Sequence, residues 1–508
     1  MRLNHPFLAA LVGLAVLMNL VSFRTGHEWG DDFALYIAQA QSIVHHTIPA
    51  LQRHQEFLRN ESTVKLGPVF YPWGFPLLLA PVCALMGLNF FALKLYVFCF
   101  FLLAIAAVYV LFRFRIDRSL LLQLLVAFLL APVFFTFKEN VLSDIPYLFF
   151  SLVCIYGIRR FIVERRPWRG WGIDGALLGT MLFLASFVRA QGFVFVAVMF
   201  ACQLVEWRRS KDVPGLRFLS AQALPYIVAL ACVLISKAVF PSSSYEGLLE
   251  SPSLASTLRE NIVYYFWLPS DLLYHPAIAK VFPLLRFVPK SLYALSLPAA
   301  LIGMKKEFRT DYLFILVIVG TIIPLLPLPF QNGVRYIFPA LPFYLYFVLV
   351  GLARIQQSVV RRFPVHLRWD AAALWLVIAW SSVIDAGIIW KSWTGMRTIE
   401  GPFSKSGTEM IGFIRQETAS TDTVIFRKPR ALWLLTGRES VAINDAGVLR
   451  GKGGDYLVIE DESHVYDQPP MQRGVSTVDS TTFHLVFRNE RYSVYKIAGD
   501  EGKKKSGG

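Results

Sequence analysis

No cysteine lies beyond Cys232, and the five present, Cys83, Cys99, Cys154, Cys202 and Cys232, all fall in apolar segments. They offer no disulfide framework and no zinc-ligand spacing, so they are expected to serve as small buried hydrophobes. A Walker loop and a glycine-rich dinucleotide fingerprint are also missing, which leaves a cytoplasmic nucleotide site without support. Charged residues are scarce, at 17% of 508, while 55% of the residues are hydrophobic. The mean hydropathy is +0.50. Soluble domains average about 45–50% apolar residues.

What the chain has instead is a series of apolar runs, each near the twenty residues that cross a hydrocarbon core of about 30 Å. The first runs from Pro6 to Phe23. No small-residue cleavage pattern follows at "VSFRTG", so it is expected to be an anchor rather than a signal peptide. Further spans are expected near 91–112, 119–137, 144–163, 173–188, 191–206, 218–240, 288–304, 311–329, 336–353 and 370–390, about eleven in all. The run at 74–88 is short and contains Pro76 and Pro81, which suits an interfacial or re-entrant helix.

The net charge of +15 follows the membrane topology rather than a nucleic-acid partner. "RFRIDR", "RRFIVERRPWRGW", "RRSKDVPGLR", "KKEFR" and "RIQQSVVRRFPVHLR" are rich in Lys and Arg. The alternate loops "KENVLSD", "RAQG" and "QNGVR" hold one basic residue apiece. That alternation is the positive-inside bias. It puts the N-terminus inside and the loop 24–90, with its juxtamembrane helices, outside a cytoplasmic (inner) membrane. The membrane-embedded part ends near residue 390, and residues 391–500 read as a soluble extracytoplasmic α/β domain. "SKSGTEMIGFIRQETA" clusters Met410, Ile411, Phe413 and Ile414 on one helix face. "DTVIFRKP", "YLVIED", "FHLVFRN" and "YSVYKIA" read as strands, the last two as a hairpin around Asn489 and Glu490. Residues 501–508 are expected to be a flexible tail.

Three polar groups fall on the outer face. "EWGDDFALYIAQAQSI" carries Asp31 and Asp32 ahead of a stripe formed by Phe33, Ile37, Ala40 and Val44. The stripe suits a helix lying in the interface. Its dipole favours ionised acids at the N-terminus, where they either cap the helix or act as a base. "TFKENVLSDIPYLF" sets Lys138, Glu139 and Asp144 between two spans, as a functional cluster or as a solvated loop with Asp144 as a cap. Arg189 and Arg335 stand alone at outer helix ends. They either snorkel to headgroups or, together with Lys138, clamp an anionic phosphate.

Taken in order, these stretches resemble the GT-C glycosyltransferases, the class that includes protein O-mannosyltransferases and bacterial lipid A aminoarabinose transferases. A first span is followed by an acid pair, here Asp31-Asp32 with Tyr36 downstream, and then by "YPWGFPLLLAPVCALMG". "FKENVLSDIPYLF", "VRAQGF", "VRYIFPALP" and "RKPRALWLLTGR" complete the series, which covers nearly the whole chain. Four positions depart from the family pattern. Asp32 stands where the mannosyltransferases have Glu, Trp73 replaces a proline, Lys138 replaces Ser or Tyr, and Val334 replaces the acid before Arg335.

The resemblance implies an inverting transfer from a polyprenyl-phosphate-linked sugar to an extracytoplasmic acceptor: a protein, a lipid or a cell-envelope glycan. Asp31, matching the first acid of the pair, would be the base. Asp32 would orient a neighbour or cap the helix, and Arg189 and Arg335 would stabilise the leaving phosphate. Tyr36, Tyr71 and Tyr336 are expected to line the substrate cavity. No cofactor is expected, although Asp31, Glu139 and Asp144 offer hard oxygen ligands for Mg²⁺ or Mn²⁺. The rival reading is a polytopic transporter or lipid flippase. Such proteins usually show two related halves, and no such repeat is visible here.

Overall fold

The computed structural model describes residues 5–64, 66–166, 170–209, 216–242, 253–275, 283–331, 333–360, 368–394, 398–443, 454–460 and 483–498. Among these, seven helices are long and apolar enough to cross a membrane. They coincide with the expected spans that begin near 91, 144, 191, 218, 288, 336 and 370. The other four expected spans are shorter apolar helices, at Pro6–Val21, Arg118–Leu129, Gly172–Val188 and Tyr312–Leu325. The chain is thus a multi-pass, mostly helical membrane protein. Exposed apolar stripes fit lipid contact: Ile227, Leu230, Leu234 and Ile235 lie on one side of their helix and face outward. Cys99 departs from the expectation for cysteine. It is exposed on such a face, whereas Cys83, Cys154 and Cys202 are buried and Cys232 is half-buried, all as free thiols.

The N-terminal half positions the acid pair and the groups around it. α1 (His5–Val21) leads through a short link into α2 (Asp31–Val44), α3 (Ile48–Glu61) and α4 (Gly74–Met86). Gly30, not an acid, occupies the cap position of α2, so Asp31 and Asp32 fall within its first turn. The amphipathic stripe suggested a helix half exposed at the interface. Instead every residue from Phe33 to Ala40 is buried. The physical reason is coverage: α4 packs along one side and the helix Pro429–Thr436 along another.

Spans α5 (Phe90–Phe112) and α6 (Arg118–Leu129) open on capping side chains. Asn89 accepts from the Ala92 N–H at 3.1 Å, and Asp117 accepts from the Leu120 N–H at 2.9 Å. The short α7 (Pro132–Phe137) then ends in the loop that starts α8 (Asp144–Ile158). Between α9 (Trp171–Val188) and α10 (Val194–Arg209) the chain bends through a 3₁₀ turn at Ala190–Phe193. Gly192 lies against the Ala185 backbone so closely that no side chain would fit, and this contact sets the bend that presents Arg189.

After the last span, Trp369–Trp393, the chain forms a layer of two helices, Lys405–Glu417 and Pro429–Thr436, on a five-stranded sheet. The strands are β1 (Thr423–Ile425), β2 (Glu439–Val441), β3 (Tyr456–Glu460), β4 (Phe483–Arg488) and β5 (Tyr492–Ile497), in the order β2-β1-β3-β5-β4. β1 runs parallel to β2 and β3, whereas β3–β5 and β5–β4 are antiparallel. The hairpin turns where expected, and Asn489 Oδ1 accepts from the N–H groups of Arg491 and Tyr492. Met410, Ile411 and Ile414 are buried as the periodicity implied, while Phe413 stacks on Phe487 at the edge. β2 and the helix Pro429–Thr436 were not foreseen. The expected tail at 501–508 lies outside the described residues.

This layer is seated on α2, α3 and the link before α2. Trp29 Nε1 donates to the Tyr492 hydroxyl at 2.8 Å, and its ring meets Phe426 edge-on. The Thr63 N–H donates to the Ala442 carbonyl at 3.0 Å, and the Ala442 N–H returns to Ser62 Oγ. His54 stacks on Trp433 and pairs with Glu439 at 2.6 Å.

Candidate active site

α2, the loop before α8, the α9–α10 bend and the 3₁₀ turn Val334–Ala340 converge at one end of the bundle. Asp32 is held from two sides. Its Oδ1 accepts from the Tyr71 hydroxyl at 2.6 Å, and Oδ2 lies 3.2 Å from Arg335 Nη1. The same Arg335 nitrogen is 4.0 Å from Asp144 Oδ2, and Arg189 Nη1 is 2.9 Å from Asp144 Oδ1. Ser143, at the cap position of α8, makes no capping bond. Its hydroxyl instead bridges Tyr36 at 2.8 Å and Arg189 Nη1 at 3.1 Å. Tyr36 stacks on Tyr71, their centroids 4.6 Å apart. Tyr336 lies under both guanidiniums, 4.4 Å from Arg189 and 5.6 Å from Arg335. Gln191 Nε2 fixes that turn by donating to the Tyr336 carbonyl at 2.7 Å.

Exposure divides the cluster. The Asp144 and Arg189 side chains are 1% and 11% exposed, a sealed pair. Arg335 and Asp32 are only partly covered, at 27% and 37% exposed. Asp31 turns toward the sheet layer, and its Oδ1 is buried with no hydrogen-bond partner. Burial raises its carboxyl above the ordinary range, against the opposing charges of Arg430 and Lys428. Asp32 shifts the other way. Burial disfavours its charge, but Arg335, the Tyr71 hydroxyl and Arg430 outweigh that and hold its carboxyl low.

Asp31, Asp32, Asp144, Arg189, Arg335, Tyr36, Tyr71 and Tyr336 are therefore neighbours. Lys138 and Glu139 are not part of this group. The Lys138 ammonium turns back to α1, where Asn19 and Ser22 accept from it at 2.5–3.1 Å, with the Phe135 ring 3.4 Å away. Glu139 takes a forked contact from Arg24 at 2.9 and 2.5 Å, plus the Arg24 N–H at 2.8 Å. Beside it, burial raises the carboxyl of Glu28. Asp31, Glu139 and Asp144 do not gather as a ligand set, since Glu139 and Asp144 are each engaged by an arginine. Among the described residues no three His, Cys, Asp or Glu side chains are placed to hold a metal ion.

The sequence reading missed Ser143, Gln39 and Arg430. Gln39 brackets the Tyr71 backbone, donating to its carbonyl and accepting from its N–H, each at 3.0 Å. Neither Ser143 nor Gln39 differs in sequence from any polar helix residue. Arg430 lay within the quoted "RKPR" stretch, but nothing there pointed to the acid pair.

No protein-family model matches the sequence, and no curated protein does. Solved structures are similar in fold. ArnT from Cupriavidus metallidurans in the apo state superposes with a TM-score of 0.55 at 14% identity, covering 96% of this chain and 97% of that one. ArnT bound to undecaprenyl phosphate gives 0.54, at 14% identity over 96% and 98% of the two chains. The Archaeoglobus fulgidus oligosaccharyltransferase AglB, in complex with an inhibitory peptide and a dolichol-phosphate, gives 0.51 at 11% identity, over 89% of this chain and 69% of that one. This chain shares over most of its length the fold of these GT-C glycosyltransferases.

Proposed function

We propose that the chain is an inverting membrane glycosyltransferase that moves a sugar from a polyprenyl-phosphate-linked donor to an extracytoplasmic acceptor. The observation that supports this most is the pairing of two arginines with an acid pair at one end of the bundle. The donor lipids named for the similar ArnT and AglB structures support a lipid phosphate as the group the arginines meet. Arg335, open to solvent, would contact that phosphate first, with Arg189 behind it. Positive charge there stabilises a phosphate that leaves already ionised and needs no proton.

Asp31 would take the acceptor proton as attack proceeds opposite the phosphate. Its unpartnered oxygen and raised carboxyl suit a base stronger than an ordinary aspartate. Asp32, tied to Tyr71 and Arg335, would link the base to the phosphate clamp. The greater exposure of Asp32 favours a second assignment in which Asp32 itself is the base; the two Asn variants separate these. No resident metal is part of the proposal.

The reading further assigns eleven spans to residues 1–390 of an inner-membrane protein, with the N-terminus inside and the sheet layer, about 391–500, outside as a domain of its own. The deciding experiment incubates the reconstituted chain with undecaprenyl-phosphate-linked sugars and a cell-envelope extract as the source of acceptor, and measures release of undecaprenyl phosphate together with sugar appearing in the extract. A transporter or flippase would relocate the lipid and leave the sugar–phosphate bond intact.

A further inference from the structure

Arg430 is 2% exposed, yet among the described residues no carboxylate lies within ion-pair distance of it. Its partners are neutral. Nε donates to Gln55 Oε1 at 2.9 Å, and Nη2 donates to the carbonyls of Gly67 and Pro68 at 3.1 and 2.7 Å. A buried cation without a contacting anion is costly, so its retention calls for a use beyond stability. The carbonyls it binds belong to the segment ending in Tyr71, the residue that holds Asp32. A side chain at position 67 would sit 3.0 Å from the Tyr71 hydroxyl and 3.3 Å from Arg430 Nη1, so both groups converge over Gly67.

We propose that Arg430 is a positioning residue. Through it the sheet layer fixes the 67–71 segment, and through Tyr71 the Asp32 carboxylate, while its charge faces the acid pair. This rests on the reading that the acid pair performs the transfer. The groups facing the pair agree with it. Asp31 meets Arg430 and Lys428 from the sheet layer and Asp32 from its own helix. Asp32 meets Arg335, Tyr71 and Arg430. Arg189, Tyr36 and Asp144 stand behind Arg335. A planar guanidinium presents its donors in a fixed fork that spans the Gln55 amide and both carbonyls, whereas a lysine offers its three donors from a single flexible point.

The test uses the full chain in nanodiscs, with Arg430→Gln, Arg430→Lys and, as a control on docking of the layer, Trp433→Leu. Two properties are read: hydrogen exchange of the peptide covering 67–71, and the pH profile of turnover with undecaprenyl-phosphate-linked sugar. Arg430→Gln is expected to speed exchange at 67–71 about tenfold. It should also move the acid limb of the profile up by about one pH unit, lowering kcat more than it raises the donor KM. Arg430→Lys should restore the limb but not the protection. Trp433→Leu, which loses the stack on His54, should lower Tm without moving the limb. If Arg430→Gln leaves exchange at 67–71 unchanged, or leaves the limb in place while activity falls only with the folded fraction, Arg430 is an ordinary tie and the proposal falls. If the wild-type chain cleaves no lipid-linked sugar, the proposed function fails, and exchange at 67–71 alone decides whether Arg430 fixes the segment.

Discussion

The Tyr71 hydroxyl donates to Asp32 at 2.6 Å, while the adjacent Asp31 keeps one buried oxygen with no hydrogen-bond partner. Two neighbouring acids thus occupy opposite situations: Asp32 is restrained through both oxygens, while Asp31 takes the Ala431 N–H and keeps Oδ1 open to a proton. Asp31→Asn is expected to abolish transfer in a protein that still folds and inserts. Asp32→Asn should reduce it less, as should Tyr71→Phe. Turnover is to be compared in membranes holding equal amounts of each protein. Full activity in Asp31→Asn would remove Asp31 as the base, and loss confined to Asp32→Asn would give that role to Asp32.

The same asymmetry sets opposite pH dependences. Asp31 has a folded carboxyl raised above its unfolded value, so the native state holds that proton more tightly. Its contribution favours folding at low pH and is lost as pH rises from about 4 through the raised value. Asp32, whose carboxyl is lowered, adds stability above the ordinary range and loses it as pH falls. Asp31→Asn should therefore gain Tm relative to wild type between about pH 4 and neutrality, and Asp32→Asn should lose it. Thermal unfolding of both variants across that range checks the signs, and a falling Tm difference for Asp31→Asn would contradict the buried-acid account. Turnover in wild type should climb over the window in which Asp31 ionises.

Arg335 and Arg189 should separate by their surroundings. Each Arg→Gln change is expected to lower turnover at least about tenfold, roughly 1.4 kcal/mol in barrier, with Lys recovering only part. Arg335 lies partly open, so its Gln variant should lose less Tm than that of Arg189. Arg189 seals the buried Asp144, and its Gln variant leaves that carboxylate only the 4.0 Å approach of Arg335, at a cost of up to about 3–5 kcal/mol. The double change Arg189→Gln, Asp144→Asn should recover stability but not activity. Headgroup snorkelling would instead let Lys substitute fully, and unchanged turnover in both Gln variants would leave the phosphate clamp unsupported.

Topology is open to a cysteine scan in a cysteine-free background. Positions 61, 253 and 480 should react with an impermeant reagent from outside, and positions 165 and 211 only after permeabilisation. Labelling of position 480 from the cytoplasm would mean that one span is miscounted.

The spans were legible because lipid imposes length and hydropathy on each segment separately, as in Phe90–Phe112. The site was legible only where an ionisable group stood out against apolar sequence, as Arg189 and Arg335 do. Lys138 stood out equally, yet it turns to Asn19 and Ser22, because its neighbour in space is α1 rather than α9. Local pattern cannot tell which of several nearby helices a long side chain will meet. Contacts across the chain were equally hidden. β2 is three residues long, and Arg430 owes its position to the docking of the layer on α2 and α3. The half-exposed α2 failed for the same reason, since its stripe carried no record of the helix that would cover its other side.

The acid pair and Arg430 stand near opposite ends of the polypeptide, separated by nearly all of the spans. A growing chain therefore presents its acids early and receives the cation that faces them only after the last hydrophobic segment is made. Until the sheet layer has settled on α3, Tyr71 lacks the Arg430 anchor on its segment. If the chain acts as proposed, completion of synthesis becomes a checkpoint that keeps an unfinished copy in the bilayer from acting on the lipids around it.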